Sequence, residues 1–360
     1  MSFLKKINFP LVLPAFFLTC FGLLSIYSSS LWRNDFSQFQ KQIVFFLLSV
    51  LAFFLLSLFD LRFLKANSKL VFFFYLISLL SLFFLLFFAP QIRGVKGWYR
   101  IGSFSIDPVP LSAIILIIVL SKFFSKRHVH LRRFRLIVFS GVYALLPVLL
   151  VLFQPDLGSA LTLIAVWLGI LIFSGIRLKH FFALCLIFLI IFCVGWKFWL
   201  KDYQKQRIFS FFNPELDPKG ISWSVNQSKI AIGSGGLFGK GIGKGSQTQY
   251  GFLSEPKTDF IFSAISEEFG FFGAFLLLTL FFWLFYSLVR IVFSVQNNFV
   301  RLFSAGFAFL ILSQAFLNIG MCLGLVPVVG LPLPFVSYGG GHLFGFWVGL
   351  GILNSLRREH

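Results

Sequence analysis

The sequence is dominated by long apolar runs. About ten can be marked, each of roughly 17 to 28 residues, which is long enough to cross a hydrocarbon core of about 30 Å as a helix. The mean hydropathy is +0.91 and 58% of the residues are hydrophobic, far outside the range of water-soluble domains. The runs lie near 11–31, 43–59, 70–89, 109–125, 136–153, 157–176, 181–200, 259–288, 299–324 and 335–356. The sequence therefore predicts an all-α polytopic membrane protein with about ten transmembrane helices, forming a single domain over 1–360.

The positive charge is distributed as a topology signal. The formal net charge is +19, but the basic residues stand at the ends of the apolar runs, so we predict no nucleic-acid partner. The densest short loop joins the fourth and fifth runs and carries Lys122, Lys126, Arg127, Arg132, Arg133 and Arg135. Because short basic loops stay in the cytoplasm, this loop and both chain termini are expected inside the cell.

Three connections on the opposite side differ from plain linkers. Residues 201–258 form a large extracytoplasmic loop between the seventh and eighth spans, too long to be a mere connection. We expect a short amphipathic helix on the membrane surface around 226–232, followed by a flexible glycine-rich loop. The segment 324–341 contains three prolines that forbid a regular helix, and such backbone survives at membrane depth only inside protein or beside a wet cavity. With 93–108, these loops are predicted to cluster over one cavity.

The glycine-rich loop does not match a nucleotide-binding motif. Neither a G-x-x-x-x-G-K-[ST] nor a G-x-G-x-x-G register fits residues 233–245, and no βαβ unit surrounds them. Two readings of Lys240 and Lys244 stay open: they help backbone N–H groups to hold an external phosphate, or they belong to a mobile loop.

Cationic and aromatic residues alternate in the loop 93–108. Arg93, Lys96, Trp98 and Arg100 suit either an interfacial aromatic belt or the recognition of a lipid-linked diphosphate. In "QPDLG", Asp156 stands where a helix begins, so it is either an N-cap or a substrate-binding group.

Three acids mark the eighth span. Asp259 is expected at the outer end of the helix, where the helix dipole stabilises a negative charge. Glu267 and Glu268 would lie about 12 to 14 Å farther along a continuous helix, about 80° and 180° around it from Asp259. Acids within a membrane span are functional candidates by default. Glu267 is the better candidate to face the cavity, either protonated or paired with a basic residue.

Four motifs together resemble the SEDS family (shape, elongation, division and sporulation). They read "QPDLGSAL", "NQSKIAIGSGGLFGKGIGKG", "KTDFIFSAISEEFGFFGA" and "LVPVVGLPLPFVSYGGG", in the family's order and over nearly the whole chain. The wording "PVVGLPLPFVSYGG" resembles the RodA branch more than the FtsW branch.

The resemblance implies a peptidoglycan glycosyltransferase for cell-wall elongation and cell-shape maintenance. Such a protein lies in the bacterial cytoplasmic membrane, polymerises lipid II at the outer face, and works among membrane lipids beside a class B penicillin-binding protein. The family's catalytic aspartate corresponds to Asp259, which would act as general base while undecaprenyl diphosphate leaves with inversion at the donor carbon. Ser337, in the fourth motif, joins the residues above as a candidate for substrate binding.

The charge needed by the leaving diphosphate comes from the basic residues, or from a divalent cation (Mg²⁺ or Mn²⁺) that the resemblance leaves open; no metal ligands are assigned. A lipid II transporter and a non-catalytic scaffold for the transpeptidase are the alternative functions.

Two departures from the family pattern concern the fourth and tenth spans. Where the family commonly has a glutamate and a lysine, this chain has Pro110 and Ala113, and two usual serines are replaced by Gly341 and His342. The first departure removes an ion pair, and we expect Glu267 or groups of the long loop to compensate for it.

Overall fold

The fold of the chain was determined as a computed structural model. It describes residues 7–357 apart from 33, 92–93, 103, 127–133, 178, 185, 188–189, 191–194, 196–204, 206–208 and 213–220. Most of the predicted seventh span (181–200), the first part of the loop 201–258, Arg93 and three basic residues of the loop after the fourth span lie outside the described residues.

Helices make up most of the described chain, as predicted. They are α1 (Phe9–Ser28), α2 (Ser37–Leu58), α3 (Arg62–Ala66), α4 (Ser68–Phe88), α5 (Val109–Ser125), α6 (Phe134–Phe153), α7 (Leu157–Ser174), α8 (Ile221–Ser234), α9 (Ser246–Gln249), α10 (Ile261–Ser294), α11 (Asn298–Leu323) and α12 (Gly340–Leu356). Within the described residues, seven helices are long and apolar enough to cross a membrane: α1, α2, α4, α6, α7, α10 and α11. The chain is therefore a polytopic α-helical membrane protein, and the count of ten spans stays a prediction.

The helices are ordered from a buried centre to an apolar exterior. Helices α5, α7, α11 and α12 pack together and are each buried over more than half of their residues, whereas α2 and α4 expose many large apolar side chains, as expected of helices that face lipid. Asn67, Asp156 and Asn297 accept hydrogen bonds at the starts of α4, α7 and α11, which fixes where these helices begin.

One connection forms a small sheet that the all-α prediction did not include. Strands β1 (Tyr99–Ile101) and β2 (Phe104–Ile106) pair antiparallel within the loop 93–108. Apolar and polar residues alternate in both strands, and Gly102 adopts a positive φ of 61° between them.

Helix α10 is interrupted at Gly270, just after the acids, so the predicted span 259–288 is not one continuous helix. Gly270 has φ 66° and ψ −160°, a conformation open essentially to glycine alone. The part beyond the break, 271–294, is about 36 Å long at 1.5 Å per residue, which is enough to cross a bilayer without the part before the break. Glu267 and Glu268 belong to the shorter part, 261–269.

The glycine-rich loop forms hydrogen bonds with α10 on both sides of this interruption. The carbonyls of Glu267 and Glu268 accept hydrogen bonds from the backbone N–H groups of Lys240 (3.0 Å) and Gly241 (2.9 Å). On the other side of the break, the N–H groups of 271 and 272 donate to the carbonyls of 236 (2.8 Å) and 237 (3.2 Å). The backbone groups that a helix break leaves without partners are thus satisfied by the loop. The prediction of a flexible loop is wrong for this reason.

Close contact at the break makes a strong prediction for Gly270→Ala. A Cβ at this position would lie 2.3 Å from the backbone nitrogen of Gly239, and the backbone conformation itself would cost an alanine about 1–3 kcal/mol. We expect a clear fall in the thermal unfolding temperature of the detergent-solubilised protein. The matched control is Gly233→Ala, because a Cβ at Gly233 in α8 meets nothing within 4 Å. Equal unfolding temperatures for the two variants would contradict the described packing of the loop.

Candidate active site

Parts of the three loops that were predicted to cluster over one cavity are in contact, and the cavity itself stays a prediction. The backbone N–H of Tyr338 donates to the carbonyl of Lys257 (2.8 Å), which joins the segment 324–341 to the end of the long loop. The loop 93–108 reaches the same place through its last residues, because His342 contacts Asp107. We call this end of the bundle the site end. Lys65, Lys126 and Asn297 line a cavity together between other helix ends, on the opposite side of the bundle.

Asp259 is half-buried where the loops meet. It precedes Phe260, the N-cap of α10, so it stands just before the helix and is not its first residue as predicted. The Asp259 Oδ2 atom lies 3.7 Å from where a Cβ of Gly330 would stand, and Gly330 has φ +69°. The carboxylate therefore lies against the bare glycine of the segment 324–341, near the positive end of the α10 dipole.

Ser337 holds the residue before Asp259. Its hydroxyl donates to the carbonyl of Thr258 (2.7 Å) and accepts from the N–H of Leu333 (2.8 Å). Ser337 is 4% exposed, so these bonds occupy a buried hydroxyl. The geometry gives Ser337 a positioning part at the site, while its predicted contact with substrate stays a prediction.

Two side-chain amides that the sequence analysis missed also hold the backbone around Asp259 and Ser337. Asn318 of α11 donates through Nδ2 to the carbonyls of Asp259 (2.9 Å) and Leu331 (2.7 Å). Gln42 of α2 donates to the carbonyl of Ser337 (3.2 Å) and accepts from the N–H of Gly339 (3.1 Å). Both side chains are buried. A polar amide inside an apolar run was the available signal, because such groups need partners in a membrane.

Glu267 pairs with a basic residue, Lys240, which agrees with one of its two predicted states. The distance between Lys240 Nζ and Glu267 Oε1 is 2.8 Å. The N–H of Gln247 also donates to Oε1 (2.9 Å), and the N–H and hydroxyl of Thr248 donate to Oε2 (2.9 and 2.8 Å). The Glu267 side chain is completely buried. The carboxylate therefore anchors α9 and the glycine-rich loop, and its predicted contact with substrate remains a prediction.

The remaining predicted cations occupy different places. Lys96 donates from Nζ to the carbonyl of Leu86 in the last turn of α4 (3.0 Å), where a cation favours the helix dipole. Trp98 is half-buried, and Arg100 and Lys244 are exposed. Arg93 lies outside the described residues.

A further cation, Lys229, was not predicted. Lys229 of α8 lies beside Gly324, since a Cβ on that glycine would stand 2.6 Å from the Lys229 Nζ. It also lines a small cavity between α8 and residues 324–328. The preceding residue, Ser228, hydrogen-bonds Ser263 and the carbonyl of Cys322 (both 2.6 Å), so α8 is fixed to α10 and α11 near Asp259.

Asp156 is an N-cap, which agrees with one of its two predicted roles. Its carboxylate accepts from the N–H (3.0 Å) and the hydroxyl (2.6 Å) of Ser159. Gly158 lets the start of α7 touch the segment 324–341, because a Cβ there would lie 2.9 Å from the carbonyl oxygen of Val329. The start of α7 and the carboxylate of Asp259 thus contact the same segment, 324–341.

The fold and site define a class of protein: a polytopic membrane protein with a half-buried carboxylate framed by loops at one end of its helix bundle. The family model FTSW_RODA_SPOVE, described as cell cycle protein, matches residues 9–360. The chain belongs to this family, which is the one that its motifs resemble.

Relatives of known name support the assignment. The chain is 35% identical to stage V sporulation protein E of Bacillus subtilis (strain 168), over 97% of this chain and 96% of that protein. It is also 35% identical to peptidoglycan glycosyltransferase MrdB of Escherichia coli (strain K12), over 78% of this chain and 76% of that protein. A solved structure described as a peptidoglycan synthase complex that coordinates polymerization and crosslinking contains a chain with 28% identity and a TM-score of 0.81, and 98% of each chain is covered.

Proposed function

We propose that this chain is a peptidoglycan glycosyltransferase that polymerises lipid II into glycan strands. The observation that carries the proposal is the placement of Asp259. Its backbone is held by Asn318, and the backbone of the preceding Thr258 is held by Ser337, while its carboxylate is half-buried beside Gly330. A carboxylate with a fixed backbone and partial access to solvent suits a general base. The relatives named peptidoglycan glycosyltransferases support the same reaction.

In the proposed reaction, Asp259 accepts the proton from the 4-hydroxyl of the acceptor sugar. That oxygen forms a bond to the anomeric carbon of the donor as the bond from this carbon to the lipid diphosphate breaks. The configuration at the carbon is inverted, and undecaprenyl diphosphate leaves with its electron pair. Lys229, Lys244 and Arg100 are cations at the site end that suit a diphosphate.

A divalent cation is not assigned to a place in this proposal. Among the described residues, no three His, Cys, Asp or Glu side chains come together in an arrangement that could hold a metal ion. The donor set therefore does not form a metal site by itself, and we derive no step through Mg²⁺ or Mn²⁺.

We place the site end on the outer face of the bacterial cytoplasmic membrane and both termini in the cytoplasm. The support is the basic character of the opposite end, where Lys122 and Lys126 reach the carbonyl of Leu64 (2.8 Å) and the hydroxyl of Ser68 (2.9 Å). A class B penicillin-binding protein is the proposed partner, in line with the synthase complex named above. Elongation, rather than division, is the proposed setting.

The decisive experiment is polymerisation of labelled lipid II by the purified chain, with and without a penicillin-binding protein. We expect glycan strands of many disaccharides, resolved on a gel. Movement of labelled lipid II across liposomes without strand formation would instead favour a transporter. Binding of the penicillin-binding protein with neither strands nor lipid movement would favour a scaffold.

A further inference from the structure

A contact between Asp107, just before α5, and His342, in the first turn of α12, joins these two helices at the site end. His342 Nε2 lies 3.0 Å from Asp107 Oδ2, and the two side chains are only 14% and 10% exposed. The other carboxylate oxygen of Asp107 accepts from the N–H of Val109 at the start of α5 (2.8 Å). The imidazole thus meets a carboxylate that is already fixed to the backbone of a neighbouring helix.

The surroundings show why the pair stands here and not farther along α5. Pro110 and Ala113 are buried, and a Cβ on Gly345 of α12 would lie 2.8 Å from the Pro110 Cβ, so α5 and α12 are in direct contact at these positions. The charges lost with Pro110 and Ala113 have no room to be restored there. The pair lies three residues before Pro110, at Asp107, which precedes the first residue of α5.

His342 is linked to the proposed base through a short stretch of backbone and its hydrogen bonds. It stands in the first turn of α12, and five residues earlier Ser337 holds the carbonyl of Thr258. The backbone N–H of Tyr338 donates to the carbonyl of Lys257. A shift of the first turn of α12 against α5 would therefore be transmitted to the backbone immediately before Asp259.

A second acid, Asp156, belongs to the same electrostatic neighbourhood. Burial raises the pKa of the Asp156 carboxyl, the Ser159 hydrogen bonds oppose the rise, and the Asp107 carboxylate and His342 imidazole act on it in opposite directions. The His342 Nδ1 atom is buried and has no hydrogen-bond partner among the described residues. A buried pair with an unsatisfied nitrogen contributes little net stability, so a role in stability alone explains it poorly.

We propose that Asp107 and His342 are a positioning pair for the glycosyl transfer, which takes over the charge pairing missing at Pro110 and Ala113. This inference rests on the proposed function. The earlier expectation assigned compensation to Glu267 or the long loop, but Glu267 is fully engaged with Lys240, Gln247 and Thr248. The pair acts by holding α12 against α5, and neither residue is assigned a contact with substrate.

The test is steady-state polymerisation of labelled lipid II by the full-length protein and a set of variants. His342→Gln replaces the imidazole with an uncharged amide, and Asp107→Asn removes the charge of the carboxylate but retains an acceptor for the Val109 N–H. We expect each to lower kcat at least about tenfold, with KM within about twofold, because small misplacements at a reacting centre are costly in rate. The kcat of the double variant should be no lower than that of the slower single variant. His342→Lys should have a kcat close to that of the wild type.

The matched control is Asp60→Asn, which breaks an exposed ion pair with Arg62 between α2 and α3 and should leave kcat unchanged. Thermal unfolding is measured for every variant. Unchanged kcat in His342→Gln and Asp107→Asn would overturn the inference while leaving the proposed function intact. A loss of kcat that follows a loss of thermal stability, without rescue by His342→Lys, would reduce the pair to a structural contact. A wild-type protein that makes no strands would refute the proposed function, and the positioning role with it.

Discussion

Asp259→Asn is expected to lower the initial rate of lipid II polymerisation about 10²- to 10⁴-fold, the range that a general base contributes. The amide has nearly the same size as the carboxylate but does not accept the proton of the attacking hydroxyl. The carbonyl of residue 259, which accepts from Asn318 and Cys322, is unaffected by the change. The measurement is the initial rate with labelled lipid II, accompanied by a thermal unfolding curve that should match that of the wild type.

The control for this experiment is Asp60→Asn. Asp60 is an exposed acid between α2 and α3, paired with Arg62, so the same chemical change is made away from the site end. A full rate in Asp259→Asn would show that the carboxylate only helps to begin α10, and the proposed mechanism would have to be abandoned.

Glu267→Gln is expected to destabilise the fold by about 3–5 kcal/mol, the cost of breaking a buried ion pair by removing one partner. The Lys240 ammonium loses its carboxylate. The glutamine amide nitrogen also replaces an oxygen that accepts from the N–H of Gln247 or from Thr248. The measurement is thermal or chemical unfolding of the detergent-solubilised protein. We expect a lower yield of folded protein as well, because the anchoring of α9 and the glycine-rich loop is weakened.

Glu268→Gln provides the matched control in the next residue. Glu268 accepts from Gln249 through Oε1 (3.1 Å), but its Oε2 is buried without a hydrogen-bond partner among the described residues. An amide suits this environment better than a charged group, since a buried charge without full pairing is costly. We expect a change within about 1 kcal/mol. If Glu267→Gln and Glu268→Gln lowered the free energy of unfolding equally, the assignment of Glu267 as the anchor would be refuted.

Much of the helical framework could be predicted because apolar runs of membrane length leave few alternatives to helices. The cap at Asp156 and the clustering of the three loops followed from local rules about N-caps and prolines. The interruption at Gly270 could not be predicted in the same way. A glycine inside an apolar run is compatible with a continuous helix, and only the loop at 236–241 shows that the chain departs from it.

The frame of the site was harder to predict than its carboxylate. Asp259 was recognised because a motif surrounds it in the sequence. Asn318 and Gln42 act on backbone atoms that are 59 and 295 residues away, so no local pattern records their partners. The contact between Asp107 and His342 could not be predicted for the same reason, because the two residues meet only when α5 and α12 come together.

The interruption of α10 also has a consequence for how the chain enters the membrane during synthesis. Residues 271–294 are able to insert as an ordinary apolar helix, but 261–269 depend on bonds from residues 240 and 241. Those residues leave the ribosome earlier, so their loop is already synthesised when α10 emerges. The order of the chain therefore supplies the partners of the broken helix before the break itself is made.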